Sequence, residues 1–267
     1  MFEDSTPASP QPPTSPNATP GLLLELWLVL AFCTRLPLPR SSAAIAPGAL
    51  AQAMRLFPLA GLVVGGLGAA VYGLAHLVLP AALAAVLAVA ATVAATGALH
   101  EDGLADVADG FGGGIDKAAK LAIMRDSRIG SFALVTVTLT LLLRVGALAS
   151  LASPGLVAGA LVAAHALGRG AIPVAMQALV PARPDGLGAS AGQPAAGTAG
   201  IAATLALLIA AVALPHTAAL AAVLAAAVAT WGMGALARWQ IGGQTGDVLG
   251  AIEQVAETAA LLAVVAS

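Results

Sequence analysis

Long apolar runs separated by short polar or proline-marked stretches dominate this chain. They cover approximately 21–34, 56–79, 81–99, 129–150, 155–180, 199–214, 217–237 and 250–266. Several exceed the roughly 20 residues that an α-helix needs to cross a hydrocarbon core of about 30 Å. The apolar residues do not alternate with polar ones as they would in a membrane β-barrel. The pattern predicts an all-α fold, a polytopic integral membrane helical bundle of about 7–8 membrane segments. The first, sixth and eighth runs are short, which predicts helices that are tilted, extended by their flanks or only partly inserted. Gly61, Gly65 and Gly68 fall near one face of the second run, where small residues permit close helix contact.

Composition supports a membrane protein. Hydrophobic residues make up 59% of the chain and charged residues 9%, against roughly 25% charged in soluble domains. Residues 1–20 differ from the rest. Rich in Pro, Ser and Thr with little to bury, they are expected to form a disordered tail, and they lack the positive n-region of a signal peptide. Residues 21–267 read as one integral membrane domain. Its single cysteine, Cys33, has no intrachain partner and suits a packing role.

The few charges are unevenly placed. If the eight runs alternate direction, Arg35, Arg40, Arg55, Lys117, Lys120, Arg125, Arg128, Arg183 and Arg238 share one side of the membrane. The turns on the other side, near Pro80, Ser153-Pro154 and Pro215, carry no Lys or Arg. By the positive-inside rule the basic side is cytoplasmic. Both chain ends then face outward if the first run spans, and the N-terminal end is cytoplasmic if it only dips into the interface. No basic stripe argues for nucleic acid. Lipid is the expected surrounding, and a homo-oligomer is compatible with the pattern.

Against this background, His100-Glu101-Asp102-Gly103-Leu104-Ala105-Asp106-Val107-Ala108-Asp109-Gly110 stands out. Asp102, Asp106 and Asp109 are spaced i, i+4, i+7, so a helix gathers them within an arc of roughly 60°. A solvated helix end would explain one such acid. Three on one stripe beside apolar spans repel one another and are costly to desolvate, so a divalent cation, Mg²⁺, is expected to hold them. His100-Glu101 does not continue as H-E-x-x-H, because position 104 is Leu, which excludes the zincin pattern. His100 is a candidate for proton transfer or phosphate binding, or a cap on the third run.

Two further clusters complete the picture. Downstream of Gly112-Gly113-Gly114, Lys117 and Lys120 lead into Ile123-Met124-Arg125-Asp126-Ser127-Arg128-Ile129-Gly130. Arginine forks match phosphate oxygens, and a mixed-charge run makes a poor lipid anchor, whereas the two lysines would equally serve as one. Gly242-Gly243-Gln244-Thr245-Gly246-Asp247 offers backbone N–H groups to an anion and Asp247 to a metal. Glu253 and Glu257, inside the last apolar run, are expected to face the same polar interior. Arg144 is expected to pair with an acid. Arg169 is as well placed to snorkel as to be buried.

Taken in order, Leu99–Gly110, Ile123–Gly130 and Gly242–Ala251 resemble the motifs of the cobalamin synthase family, the adenosylcobinamide-GDP ribazoletransferases. Thr34-Arg35-Leu36-Pro37-Leu38-Pro39, Phe57-Pro58-Leu59-Ala60-Gly61 and Gly186-Leu187-Gly188 are similar too, so the resemblance covers roughly 25–265. Glu101 departs from it, standing where the family commonly has an apolar residue. The resemblance implies a transferase domain over 21–267 in a bacterial inner membrane, with its site facing the cytoplasm. It implies joining of adenosylcobinamide-GDP to α-ribazole or its 5′-phosphate, release of GMP and a requirement for Mg²⁺. On that footing Asp102, Asp106, Asp109 and Asp247 become the expected metal ligands, with His100 and the stripe as catalytic candidates. Arg35, Lys117, Arg125, Ser127, Arg128, Gly243 and Thr245 become the expected substrate contacts. An apolar cavity between helices is the expected place for the bulky corrinoid.

Two alternatives belong to other classes. A CDP-alcohol phosphotransferase also places acids at membrane-helix ends, but its D-G-x-x-A-R pattern fails here, since Asp102-Gly103-Leu104-Ala105 continues into Asp106. A cation or solute transporter should place such acids near mid-membrane at broken helices, whereas here they open a long loop.

Overall fold

A computed structural model describes residues 21–39, 48–151, 153–186 and 191–267. The Pro-rich tail, Arg40, Leu187 and Gly188 lie outside the described residues. All eight apolar runs are helical. Helix α1 covers Leu22–Cys33, and α2 (Ala49–Ala53) leads through a 3₁₀ turn at Met54–Leu56 into α3 (Phe57–His76). Then come α4 (Ala81–Thr96), α5 (Leu99–Gly113), the short α6 (Lys117–Ile123), α7 (Ser131–Ser150) and α8 (Pro154–Ala178). Three helices close the chain: α9 (Ala196–Ala213), α10 (His216–Ile241) and α11 (Gly246–Ala266). Among the described residues, six helices are long and apolar enough to cross a membrane, and α4 with α5, bent by 90°, counts as a seventh if the pair is one broken span.

The break follows from local chemistry. Gly97 and Ala98 both adopt left-handed backbone (φ 65° and 56°), and their N–H groups turn back to the carbonyls of Ala94 and Val93. This is a Schellman-type ending, which suits a glycine just past the helix. The run expected to be continuous over 81–99 therefore stops at Thr96, and the acidic segment starts a new helix in a new direction.

Helix α1 is an apolar helix too short to cross a membrane by its own length. Twelve residues reach about 18 Å, and both of its ends sit at the start of α3. Buried Glu25 takes hydrogen bonds from Arg55 at 2.8 Å, and Phe32 stacks on Phe57 with ring centroids 5.9 Å apart. The segment thus packs against the start of α3.

The centre is built on α8 and α11, which are 78% and 72% buried along their most apolar stretches, against 22–28% for α7, α9 and α10. Small residues let these backbones meet. At Gly65, a Cβ would stand 2.6 Å from the Leu161 carbonyl of α8, and Gly61 is closed off in the same way by His165. The expected close-contact face of α3 is therefore its interface with α8. Helix α11 starts at Gly246, earlier than expected at 250, because Thr245 caps it by accepting from the Val248 N–H at 3.3 Å. That extension brings Asp247 into its first turn.

Candidate active site

The acidic stripe forms one wall of a cavity of about 240 Å³. Asp102, Asp106 and Asp109 project from α5, and residues 124–129 form the opposite wall. Among the described residues, no protein donor reaches the carboxylates of Asp102 or Asp106. Asp106 is within electrostatic reach of Asp102, Asp109 and Asp247, with Arg183 as the opposing charge. Asp109 has a structural duty as well. Its Oδ2 accepts from the Gly130 N–H at 2.6 Å and its Oδ1 from Ala133 at 2.9 Å. It thereby caps α7, whose own N-cap residue, Gly130, has no side chain. A carboxylate is favourable at that positive helix end, and each oxygen keeps a further lone pair.

The facing loop is pre-set by ion pairs. Arg125 donates to both oxygens of Asp185 at 2.7 and 2.6 Å. Arg128 donates from Nε to both oxygens of Asp126 at 3.0 Å. The Arg128 guanidinium and backbone N–H hold the Asp126 carboxyl down at about 2. Ser127 lines the cavity between the two arginines.

The glycine-rich loop reaches the same region by another route. The Gln244 N–H donates to Val180 O and the Ala182 N–H to Gln244 O, both at 2.8 Å. This stitches the loop to the segment after α8 and delivers Arg183, whose Nη2 lies 3.4 Å from Asp247 Oδ2. The Thr245 hydroxyl donates to the same oxygen at 3.1 Å. Of the two residues expected to touch substrate, Thr245 caps α11 and Gly243 packs so closely on Val180 that a Cβ would meet its carbonyl. Helices α5 and α11 cross at Gly103 and Gly250, where a Cβ on Gly103 would lie 2.8 Å from the Asp247 carbonyl. That crossing sets Asp247 beside Asp102.

A second cavity, of about 120 Å³, opens on the other side of Asp102. Its wall is mostly apolar, with Phe32, Met54, Phe57, Ile172 and Met176, and its polar residues are His100, Asp102 and Asp247. An apolar cavity between helices is thus present beside Asp102. Other expected contacts lie outside both cavities. The Arg35 side chain packs at Gly97 on the α4–α5 break. Lys117 approaches Gly242, and Lys120 donates to Gln240 of α10.

Deeper in the bundle is a polar core. Arg144 of α7 pairs with Glu257 and, at 3.2 Å, with Glu101. Arg169 donates to Glu253 at 2.7 Å, and His165 Nδ1 stands 2.6 Å from Glu257. Gln254 bridges Glu253 and Glu101. Arg144 thus pairs as expected, whereas Arg169 is buried and does not snorkel. His165, Glu253 and Glu257 bring ligand atoms within 4.8 Å of one another, but two guanidinium groups already stand against these carboxylates and would repel a metal ion. Of the acids on α11, Asp247 lines the apolar cavity beside Asp102, whereas Glu253 and Glu257 belong to the polar core. Sequence reading did not single out Arg183 or Asp185 for the site; their signal was a charged Arg183-Pro184-Asp185-Gly186 turn in a chain short of charge.

Comparison with known proteins followed the same boundaries. The family model for cobalamin-5-phosphate synthase matches residues 25–265. The adenosylcobinamide-GDP ribazoletransferase of Bradyrhizobium diazoefficiens is 47% identical, over 91% of this chain and 93% of that one. The enzyme of the same name from Xanthobacter autotrophicus is 49% identical over 90% and 95%, and that of Azorhizobium caulinodans 45% over 91% and 96%. No solved structure matches.

Proposed function

This chain belongs to the cobalamin-5-phosphate synthase family, and we propose how its cleft carries out the transfer for which its relatives are named. The chain transfers the adenosylcobinamide phosphate moiety of adenosylcobinamide-GDP to α-ribazole or its 5′-phosphate, releasing GMP late in cobalamin synthesis. A ribose hydroxyl oxygen forms a bond to the phosphorus nearer the cobinamide. The bridging bond to GMP breaks, GMP leaves with the bridging oxygen, and the hydroxyl proton passes to a carboxylate of the site. The observation that carries this reading is the single cleft in which Asp102, Asp106 and Asp109 face the Arg125–Arg128 loop.

Each wall has a chemical task. Arg125 and Arg128 present forked donors to the diphosphate oxygens, with the Ser127 hydroxyl between them. Asp185 holds the Arg125 fork in place before substrate arrives, which reduces the ordering required on binding. Asp102 and Asp106, which no donor reaches among the described residues, together with Asp109 and Asp247, offer the hard oxygen ligands that Mg²⁺ prefers. Mg²⁺ bound there would neutralise charge that builds on the phosphoryl oxygens. Thr245 and Arg183 orient Asp247 toward this group. The basic face is assigned to the cytoplasm of a bacterial inner membrane, since positive residues collect there.

The test is GMP release by the full chain in detergent or nanodiscs, given adenosylcobinamide-GDP, with and without α-ribazole and Mg²⁺. Release requiring all three components is expected, and EDTA should abolish it. Asp106→Asn should lower turnover by at least about a hundredfold, the scale seen when a group that stabilises transition-state charge is removed. Normal turnover by this variant at limiting Mg²⁺ would refute the metal assignment.

A further inference from the structure

Two cavities of opposite character meet at Asp102, and only one of them suits a diphosphate. The polar one carries the arginine loop and three acids. The other, of about 120 Å³, is walled by the stacked pair Phe32 and Phe57 with Met54, Ile172 and Met176. Open on one side and lined by aromatic, thioether and aliphatic side chains, this space suits the face of a flat aromatic group. Aromatic rings and methionine thioethers favour such a flat, polarisable guest. Of its polar residues, His100, Asp102 and Asp247, Asp102 also lines the cleft.

We propose that the apolar cavity is the subsite for the acceptor nucleoside: it holds the aromatic base of ribazole between Phe32/Phe57 and Met176/Ile172 and leaves the ribose at Asp102. The inference rests on the transfer reaction above, which needs two substrates to meet at one phosphorus. Asp102 belongs to both cavities, so a base seated in one and a diphosphate in the other bring hydroxyl and phosphorus to the same carboxylate. The corrin ring then stays outside this cavity.

Steady-state kinetics of the full chain, varying each substrate in turn, decide the matter. Ile172→Trp fills the cavity and should raise the KM for α-ribazole at least tenfold, with the KM for adenosylcobinamide-GDP within twofold of wild type. Phe32→Ala, at a half-buried position, should raise the same KM several-fold. On the wild type, free benzimidazole should inhibit competitively against α-ribazole and non-competitively against adenosylcobinamide-GDP. That third measurement can overturn the subsite even if neither variant folds. Competition of benzimidazole with adenosylcobinamide-GDP, or a change confined to that substrate's KM in a folded variant, would overturn the subsite while leaving the reaction intact. A wild type that releases no GMP would instead overturn the reaction on which it rests.

Discussion

At the scale of single residues, the cleft contains charges whose partners are provisional. Arg128 is 87% exposed and is held by Asp126, so a diphosphate must displace that carboxylate to use the guanidinium. Exposed ion pairs are weak, which makes displacement easy and its cost small. Asp126→Asn should therefore lower the KM for adenosylcobinamide-GDP by about two- to fivefold at low salt. The sign of its pH dependence follows from the depressed carboxyl. With Asp126 ionising at about 2, the pair is complete at neutral pH and is lost only as the pH falls toward that value. The ratio of variant to wild-type KM should thus be the same at pH 6 and pH 9, and a ratio that changed across this range would assign the pairing elsewhere. The acidic residues of the cleft were legible in the sequence because their spacing alone placed them on one face. The Arg125–Asp185 bond was not, since 60 residues separate its partners and only the path of the loop after α8 joins them. Likewise Asp109 was legible as an acid of the stripe but not as the cap of α7, a role set by a neighbouring helix.

At the scale of elements, the site depends on the crossing of α5 and α11. The sequence announced both helices, but the break at Gly97-Ala98 was hidden inside an unbroken apolar run. Periodicity carries no information about a turn of axis unless a polar residue marks it. That break aims the acidic stripe, and the crossing at Gly103 fixes how far Asp102 stands from Asp247. A methyl group at Gly103 would lie 2.8 Å from a backbone carbonyl of α11, and backbone atoms yield less readily than a side-chain tip. Overpacking of this kind costs about 1–3 kcal/mol. Gly103→Ala should therefore lower the unfolding temperature in detergent and reduce GMP release more than tenfold, because misplacing a catalytic carboxylate by about 1 Å can cost a hundredfold. Gly66→Ala, where nothing lies within 4 Å of the added carbon, is the control and should change neither. Equal loss in the two variants would mean that the α5–α11 spacing is not what matters.

At the scale of the whole molecule, the polar core explains how a bundle rich in alanine keeps one arrangement. Apolar helix faces in lipid slide and rotate with little penalty, whereas a buried ion pair has one register. Arg144 ties α7 to α5 through Glu101 and to α11 through Glu257, and Arg169 ties α8 to α11 through Glu253. These partners were foreseeable as a class but not as pairs, since Glu101 and Gln254 lie 153 residues apart. The network is asymmetric in a testable way. Arg144 has two carboxylate partners, Glu101 and Glu257. Glu101→Leu leaves Arg144 paired with Glu257 and should unfold near the wild-type temperature, with Gln254 free to keep its bond to Glu253. Arg144→Leu strands Glu257 beside the neighbouring carboxylates with only His165 and Arg169 to offset it. Removing one partner of a buried pair costs about 3–5 kcal/mol, so this variant should be recovered poorly and melt far below wild type. Arg144→Leu combined with Glu257→Gln removes the stranded charge and should regain much of the loss. Thermal unfolding in detergent, followed by GMP release from whatever folds, separates these cases. If Glu101→Leu proved as damaging as Arg144→Leu, the α5–α7 pair would be the main tie, and the link from α7 to α11 through Glu257 would be secondary.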